Sequence, residues 1–381
     1  MNILIIKLSP VETITSSMFR TLAVARGLQE MGNSIDILVV PNNGMNAVSS
    51  QREFINNLNI VRTGRNEAYN KYAKTDGRKT IKNTIVGALK KVWHKVSIYD
   101  YTYSIVKHIN ISILPRDEYD IVISSSDPKT SHLAVRMLID HGLKYGRWIQ
   151  YWGDPLTLDI TNENIWPKFI LRNIEKHLIE KADKVVYVSP FTLEKQKKLF
   201  KKESGKMIFL PVAYMEEEVY QATNNERFFI GYYGNYEIRV RNILPFYEAC
   251  ISMGETVDVS IFGDTDLKLD STDYVKIFPR GIVDEHKRKA DLLVCILNSS
   301  GTQIPGKLYH LAGTNKKVLV IVDGEYASEL TKYLEQFKRF YICENNEKSI
   351  KEKITEIIND NRSFEPLKQL RYDYIAANLI E

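Results

Sequence analysis

Cysteine is scarce in this chain: Cys250, Cys295 and Cys343 are the three present in 381 residues. They have no metal-ligand spacing, and Cys295 falls inside an apolar run where a reduced, packed thiol is expected. Long apolar runs are missing as well, since none approaches the roughly 18–20 residues that a membrane span requires. The opening MNILIIKLSP has neither the charged leader region nor the small-residue cleavage site of a signal peptide, and reads as a first strand. These absences predict a cytoplasmic protein. Glycine is absent from the first loop, LSPVETITSS, which excludes the glycine-rich dinucleotide fingerprint there. What remains is 44% hydrophobic and 26% charged, the profile of a globular chain long enough for two domains.

The apolar runs alternate with helical patterns. Residues 3–6 predict a strand, 16–31 a helix stopped by Gly32, and 35–40 a second strand, so the chain opens as a βαβ unit. Ser16 and Ser17 either cap this helix or point hydroxyl and N–H groups at a ligand. Strands are expected at 119–126, 148–152, 184–189 and 207–212, with a helix over 131–141. Asp127, His132, Asp154 and Ser189 thereby fall at or just beyond carboxyl ends of strands, where a parallel sheet binds its ligands. The polar, aperiodic stretch 216–227, EEEVYQATNNER, reads as a linker. A second α/β pattern follows, with strands at 228–233, 257–262, 274–278, 292–297 and 318–322, a helix over 243–253 and a closing helix over 363–381. Asp264 and Asp266 form an Asp-x-Asp at a strand end, read as turn chemistry rather than a metal site.

Charge is concentrated in one place. Between Arg65 and Ile109 ten basic side chains face three acidic ones, a local excess of seven in a chain whose net charge is +5. Within it, the segment from Arg78 to Lys95 opens a helical stripe of Ile81, Ile85, Leu89, Val92 and Val96. It reads either as an ordinary surface helix or as one that lies on an anionic membrane.

The chain is organised around GTQIPGKLYHLAG, Gly301 to Gly313, which joins two apolar strands through a short helix. Pro305 suits the first helical position, leaving Ile304 as an N-cap that cannot cap. The N–H groups of Gly306, Lys307 and Leu308 and the charge of Lys307 then suit a phosphate. Asn235, Arg239 and Arg241 follow the first strand of the same half. Two arginines, a lysine and free N–H groups at one sheet edge make a diphosphate site in which Arg241 and Lys307 act on the leaving group's charge. Asp154 and His132 are the candidates for acceptor contact from the first half.

With those motifs in that order, the chain resembles the GT-B glycosyltransferases, and among them the family-4 group that uses nucleotide-sugar donors. The resemblance covers nearly the whole length: LPVAY before the linker, IGYYGNYEIRVRN, FPRGIV, IPGKLYHLAG and the closing helix. It implies an α/β architecture of two Rossmann-like domains facing each other across a cleft. Residues 1–216 would bind the acceptor, 217–362 the nucleotide-sugar, and 363–381 would cross back onto the first domain. It implies that Gln303, Ile304, Pro305, Gly306 and Lys307 bind the donor phosphates and that Gly281 and Ile282 lie against the base. The implied activity is hexosyl transfer, retaining and metal-independent, with no cofactor and a UDP-linked donor. The acceptor would be a surface glycan, glycolipid or glycoprotein met in the cytoplasm or at the inner membrane face, with no nucleic acid partner. Thr302 and His310 stand where the family tends to carry two glutamates eight positions apart, which predicts an unusual donor, a different ribose contact or lost activity. Two other readings stay open, a nucleotide-sugar 2-epimerase and an inactive GT-B subunit that positions a partner transferase.

Overall fold

The computed structural model describes residues 1–13, 15–42, 54–64, 95–100, 102–160 and 164–381. The expected basic helix from Arg78 to Lys95 lies, except for Lys95, outside the described residues. The chain divides into two compact units, one of Met1–Ala213 with Tyr372–Glu381 and one of Tyr214–Arg371.

Unit 1 runs β1 (Asn2–Lys7), α1 (Ser16–Glu30), β2 (Ser34–Val39), β3 (Asn59–Arg62), α2 (Tyr103–Val106), β4 (Glu118–Ser125), α3 (Thr130–Asp140), β5 (Lys144–Trp152), α4 (Lys168–Ile179), β6 (Lys184–Tyr187), α5 (Pro190–Leu199) and β7 (Met207–Phe209). Its seven strands pair in parallel in the order β3-β2-β1-β4-β5-β6-β7. Unit 2 runs β8 (Phe228–Tyr233), α6 (Leu244–Met253), β9 (Val257–Phe262), β10 (Val275–Phe278), α7 (Asp284–Lys289), β11 (Leu292–Ile296), α8 (Gly306–Leu311), β12 (Lys317–Val322), α9 (Ala327–Glu335), β13 (Tyr341–Glu344) and α10 (Glu347–Ile358). Its six strands are also all parallel, in the order β10-β9-β8-β11-β12-β13.

Central strands such as β1 and β11 are apolar and buried because helices cover both faces of a parallel sheet. In both units the strand order reverses beside the first strand. The switch points therefore lie beyond the carboxyl ends of β1 and β4 and of β8 and β11. All three cysteine thiols are free and buried. Among the described residues, no helix is long and apolar enough to cross a membrane.

Three local expectations change. The cap of α1 is Thr15, whose side chain accepts from Met18 N at 3.3 Å, and not Ser16 or Ser17. The stretch read as a linker is instead tied to unit 2: Glu218 N donates to Gly313 O at 2.9 Å, Tyr220 N to Asn315 Oδ1 at 2.9 Å and Thr223 Oγ1 to Asp291 Oδ1 at 2.8 Å. Its polar side chains satisfy backbone and strand-end groups, which is why the pattern shows no periodicity. The closing helix begins at Tyr372 rather than 363, and Leu367 N donates instead to Ala312 O at 2.9 Å.

That last helix, α11 (Tyr372–Ile380), belongs to unit 1 and packs on α1. The contact is closest at Gly27, where an added Cβ would stand 2.4 Å from Tyr372 O and 2.6 Å from Ala376 Cβ. Arg26 lies over the Tyr372 ring at 4.3 Å. At the far end Lys184 Nζ donates to Asn378 O and Leu379 O at 3.2 and 3.1 Å, placing a cation on the helix's unpaired carbonyls. Replacing Gly27 by valine should cost roughly 1–3 kcal/mol through overpacking against a backbone oxygen that cannot swing aside. Denaturant unfolding of Gly27→Val checks this, and a midpoint equal to that of the parent chain would show that the two helices do not meet there.

Candidate functional site

In unit 2 the carboxyl end of β8 continues into Gly234 and Asn235, and that of β11 into Asn298. Arg241 ties the two together, with Nε donating to Asn298 Oδ1 at 3.1 Å and Nη1 to Asn235 O at 3.2 Å. Asn298 Nδ2 in turn donates to Gln303 O at 3.3 Å, fixing the loop that leads into α8. Lys307, in the first turn of α8, sends its Nζ over the Tyr232 and Tyr233 rings, 4.9 and 5.7 Å from their centroids. This nitrogen is buried and, among the described residues, has no hydrogen-bond partner. Gly234 leaves it room, since a Cβ there would stand 3.1 Å from Nζ.

Burial lowers the Lys307 pKa to about 7, with Cys295 opposing the shift and Arg241 and Lys287 adding to it. The ring faces offer partial cation–π compensation but no anion. The site thus holds a lysine nitrogen that has lost its water and, among the described residues, gained no carboxylate, beside a guanidinium. A phosphate anion entering here would restore the charge balance.

Other expected donor residues have different positions. Pro305, not Ile304, is the N-cap of α8, and Leu308 N is spent on Pro305 O at 3.0 Å, so that N–H is not free for a ligand. Ile304 and Leu308 are themselves buried in the core and Gly306 is half-buried at the helix start. Arg239 is exposed, with its carbonyl accepting from Ser299 Oγ at 3.2 Å. Gly281 and Ile282 follow β10, two strands away from β8, with Ile282 88% exposed. His310 is neutral near pH 7, because burial and then Lys287 lower its pKa to about 4 against the pull of Glu218. Asp266 Oδ1 accepts from Ile238 N at 3.1 Å and Asp264 N donates to Asn235 Oδ1 at 3.1 Å, so the Asp-x-Asp ties the loop after β9 to the loop after β8. Among the described residues, no group of three or more His, Cys, Asp or Glu is placed to hold a metal ion.

In unit 1 a cavity of about 430 Å³ lies at the β1/β4 switch point, with Ser9, Ser17, Tyr99, Asp100, Asp127 and Lys129 in its wall. Two buried basic side chains hold the turn after β4: Lys7 Nζ donates to Asp127 O and Arg20 Nη2 to Ser126 O. Arg20 also lies 4.9 Å from the Tyr151 ring centroid. Ser17 Oγ donates to Asp127 O at 3.3 Å, while Ser16 is exposed. Lys129 bridges Asp127 at 2.9 Å and Asp159 at 3.1 Å.

The carboxylates of this wall are driven apart. Burial raises the Asp100 pKa, and hydrogen bonds from Thr102 offset this only in part. Burial works against the Asp127 charge too, but Lys129, Lys7 and Arg20 outweigh it and hold that carboxyl below its usual range. Asp154 is half-buried just past β5, and its charge helps to raise the Lys129 pKa.

His132 does not face an acceptor. It is fully buried, stacked on Trp152 with centroids 4.1 Å apart, and its Nδ1 lies 2.7 Å from Ser124 Oγ, which also accepts from Trp148 Nε1 at 2.9 Å. Burial, Lys129, Arg20 and Lys7 all lower its pKa, so the ring is neutral and serves as core packing. Ser189 caps α5, accepting from Thr192 N. Lys7, Arg20, Asp100, Lys129 and Asp159 are the site residues that the strand pattern alone does not single out. Lys7 carries one signal, a charge that directly ends an apolar strand.

No family model matches the chain, and no curated protein matches its sequence. Solved structures do match its fold. Sucrose-phosphate synthase from Thermosynechococcus elongatus superposes with a TM-score of 0.59 at 12% identity, covering 99% of this chain and 94% of that one. A glycosyltransferase from Rickettsia africae gives 0.54 at 13% identity over 100% and 93%. WaaG, a glycosyltransferase involved in lipopolysaccharide biosynthesis, gives 0.54 at 10% identity over 99% and 94%. At these identities the likeness is one of architecture, and with a Rossmann-ordered parallel sheet in each of two units, the chain has the GT-B fold.

Proposed function

We propose that the chain is a glycosyltransferase that moves a hexosyl group from a nucleoside-diphosphate sugar, UDP-linked, to a hydroxyl of a surface glycan, glycolipid or glycoprotein. The observation that carries this reading is the buried, unpartnered Lys307 ammonium beside Arg241 at the β8/β11 switch point. Unit 2 would hold the donor diphosphate there. As the bond between the anomeric carbon and the phosphate oxygen breaks, the diphosphate gains a negative charge, and Lys307 and Arg241 stabilise it in a site that excludes water. These side chains supply the neutralisation without a metal ion. With retention, the departing phosphate oxygen takes the proton of the attacking hydroxyl, so that no protein nucleophile is needed. The acceptor's hydroxyls would be held in the unit 1 cavity by Asp127 and Asp100, with Asp154 close by.

Lys307→Ala and Arg241→Ala should each lose about 10²–10³ in kcat/KM for a UDP-sugar, since each removes a donor that acts on developing charge. Parent-level turnover in both variants would sink the assignment. Asp127→Asn should lower transfer far more than UDP affinity, and calorimetry showing UDP binding collapse in that variant would contradict the division of labour.

Proton linkage gives an independent check. Because the free Lys307 titrates at about 7, an anion that pairs with it raises that pKa, and binding takes up a proton at higher pH. UDP affinity should therefore fall between about pH 7.5 and 9, by at most about tenfold per unit, and calorimetry in buffers of different ionisation enthalpy should register the uptake. Lys307→Met should bind weakly with no such slope. A slope that survives in Lys307→Met would assign the titration to another group.

A further inference from the structure

Four large apolar side chains stand in water together on unit 1: Val96 at 45% exposure, Ile165 at 66%, Trp166 at 39% and Phe169 at 65%. Hydrogen bonds pin the two segments that carry them. Ile165 N donates to Lys95 O at 2.9 Å, Trp166 Nε1 to Val96 O at 2.6 Å and Asn164 Nδ2 to Ser97 O at 2.7 Å. Phe169 follows in the first turn of α4. Three N–H groups beside the patch are thus already paired within the protein, while the apolar side chains are exposed. A contiguous patch of this kind marks an interaction site.

The charges around it are of one sign. Lys168, Arg172 and Lys176 recur four apart on the exposed side of α4. Arg172 Nη2 donates to Leu199 O at 2.6 Å, which brings the exposed Lys198, Lys201 and Lys202 alongside. Of the acids in these stretches, Glu175 is buried and Glu180 is paired with Arg136 at 3.0 Å, leaving Glu194 and Glu203.

We infer that this patch docks unit 1 onto an anionic lipid bilayer. Ile165, Trp166 and Phe169 enter the headgroup boundary, and the surrounding lysines and arginine face lipid phosphates. A protein partner fits less well, because lysine is depleted at protein interfaces relative to the rest of the surface, whereas an aromatic and aliphatic tip ringed by lysine is the composition of an interfacial membrane anchor. The inference stands on exposure and charge, and holds whether or not the chain transfers sugar.

The test is co-sedimentation of the full chain with vesicles of phosphatidylglycerol and phosphatidylcholine, set against vesicles of phosphatidylcholine alone. Binding should need the anionic lipid and weaken as salt rises through the range that screens surface charge. Ile165→Ser with Phe169→Ser should cut binding by about tenfold or more, since two apolar side chains no longer leave water. The same double variant should keep the parent's circular dichroism and its melting temperature. No sedimentation of the parent chain at low salt would overturn the inference. So would undiminished binding by the double variant, which would put the contact elsewhere in the chain, or a parent dimer that the two substitutions dissociate, which would make the occupant a second copy.

Discussion

Parallel pairing of every strand in both sheets is the constraint on which the rest depends. It sends all carboxyl ends of a sheet to one edge and obliges each connection to cross back over a face. Helices then bury both faces, and the strands must be apolar throughout. Polar groups are left to collect where the strands end. In each unit the first strand is central, so the loops after it and after its later neighbour open away from each other. What those loops carry decides the chemistry of the edge.

The two edges solve the problem of buried charge differently. In unit 1, Lys7 and Arg20 are spent on the carbonyl oxygens of the turn after β4, and Lys129 is spent on two carboxylates. That edge is a closed electrostatic network around a cavity, and its acids are tuned by it. In unit 2, Lys307 is offered, among the described residues, aromatic faces and the neighbouring cations Arg241 and Lys287. An isolated buried charge is costly, and such a group either loses its proton or waits for a partner. A polar cavity lined by hydroxyls and carboxylates suits an uncharged, hydroxyl-rich ligand, whereas an uncompensated cation suits an anion.

Much of this was legible in the residues, and the exceptions have physical causes. Central strands announce themselves because burial on two faces leaves an apolar run of a strand's length, as at β1, β8, β11 and β12. The edge strands β3 and β13 do not, since one side of each faces solvent and NIVR or YICE mixes both kinds of residue. The importance of Lys307 could be read from P-G-K after an apolar strand. Its lack of a partner could not, because that depends on where Tyr232 and Tyr233 of a different strand place their rings. His132 misleads for the opposite reason: its position at a strand end is right, but stacking on Trp152, twenty residues away in sequence, turns it into the core.

Unit 2 is inserted between two parts of unit 1, because residues 1–213 form most of that unit and 372–381 complete it. During synthesis the groove on α1 that Gly27 lines stays open until the final helix has been made. The intervening segment, Tyr214–Arg371, takes on the order of 10–30 s to translate at ordinary rates of ~5–20 residues per second. For that interval unit 1 shows the ribosome-bound chain's surroundings an apolar helix face that the finished protein never shows. Unit 2, being continuous in sequence, can close first. The inserted domain is then the first to be finished, and the first to be started is the last to be sealed.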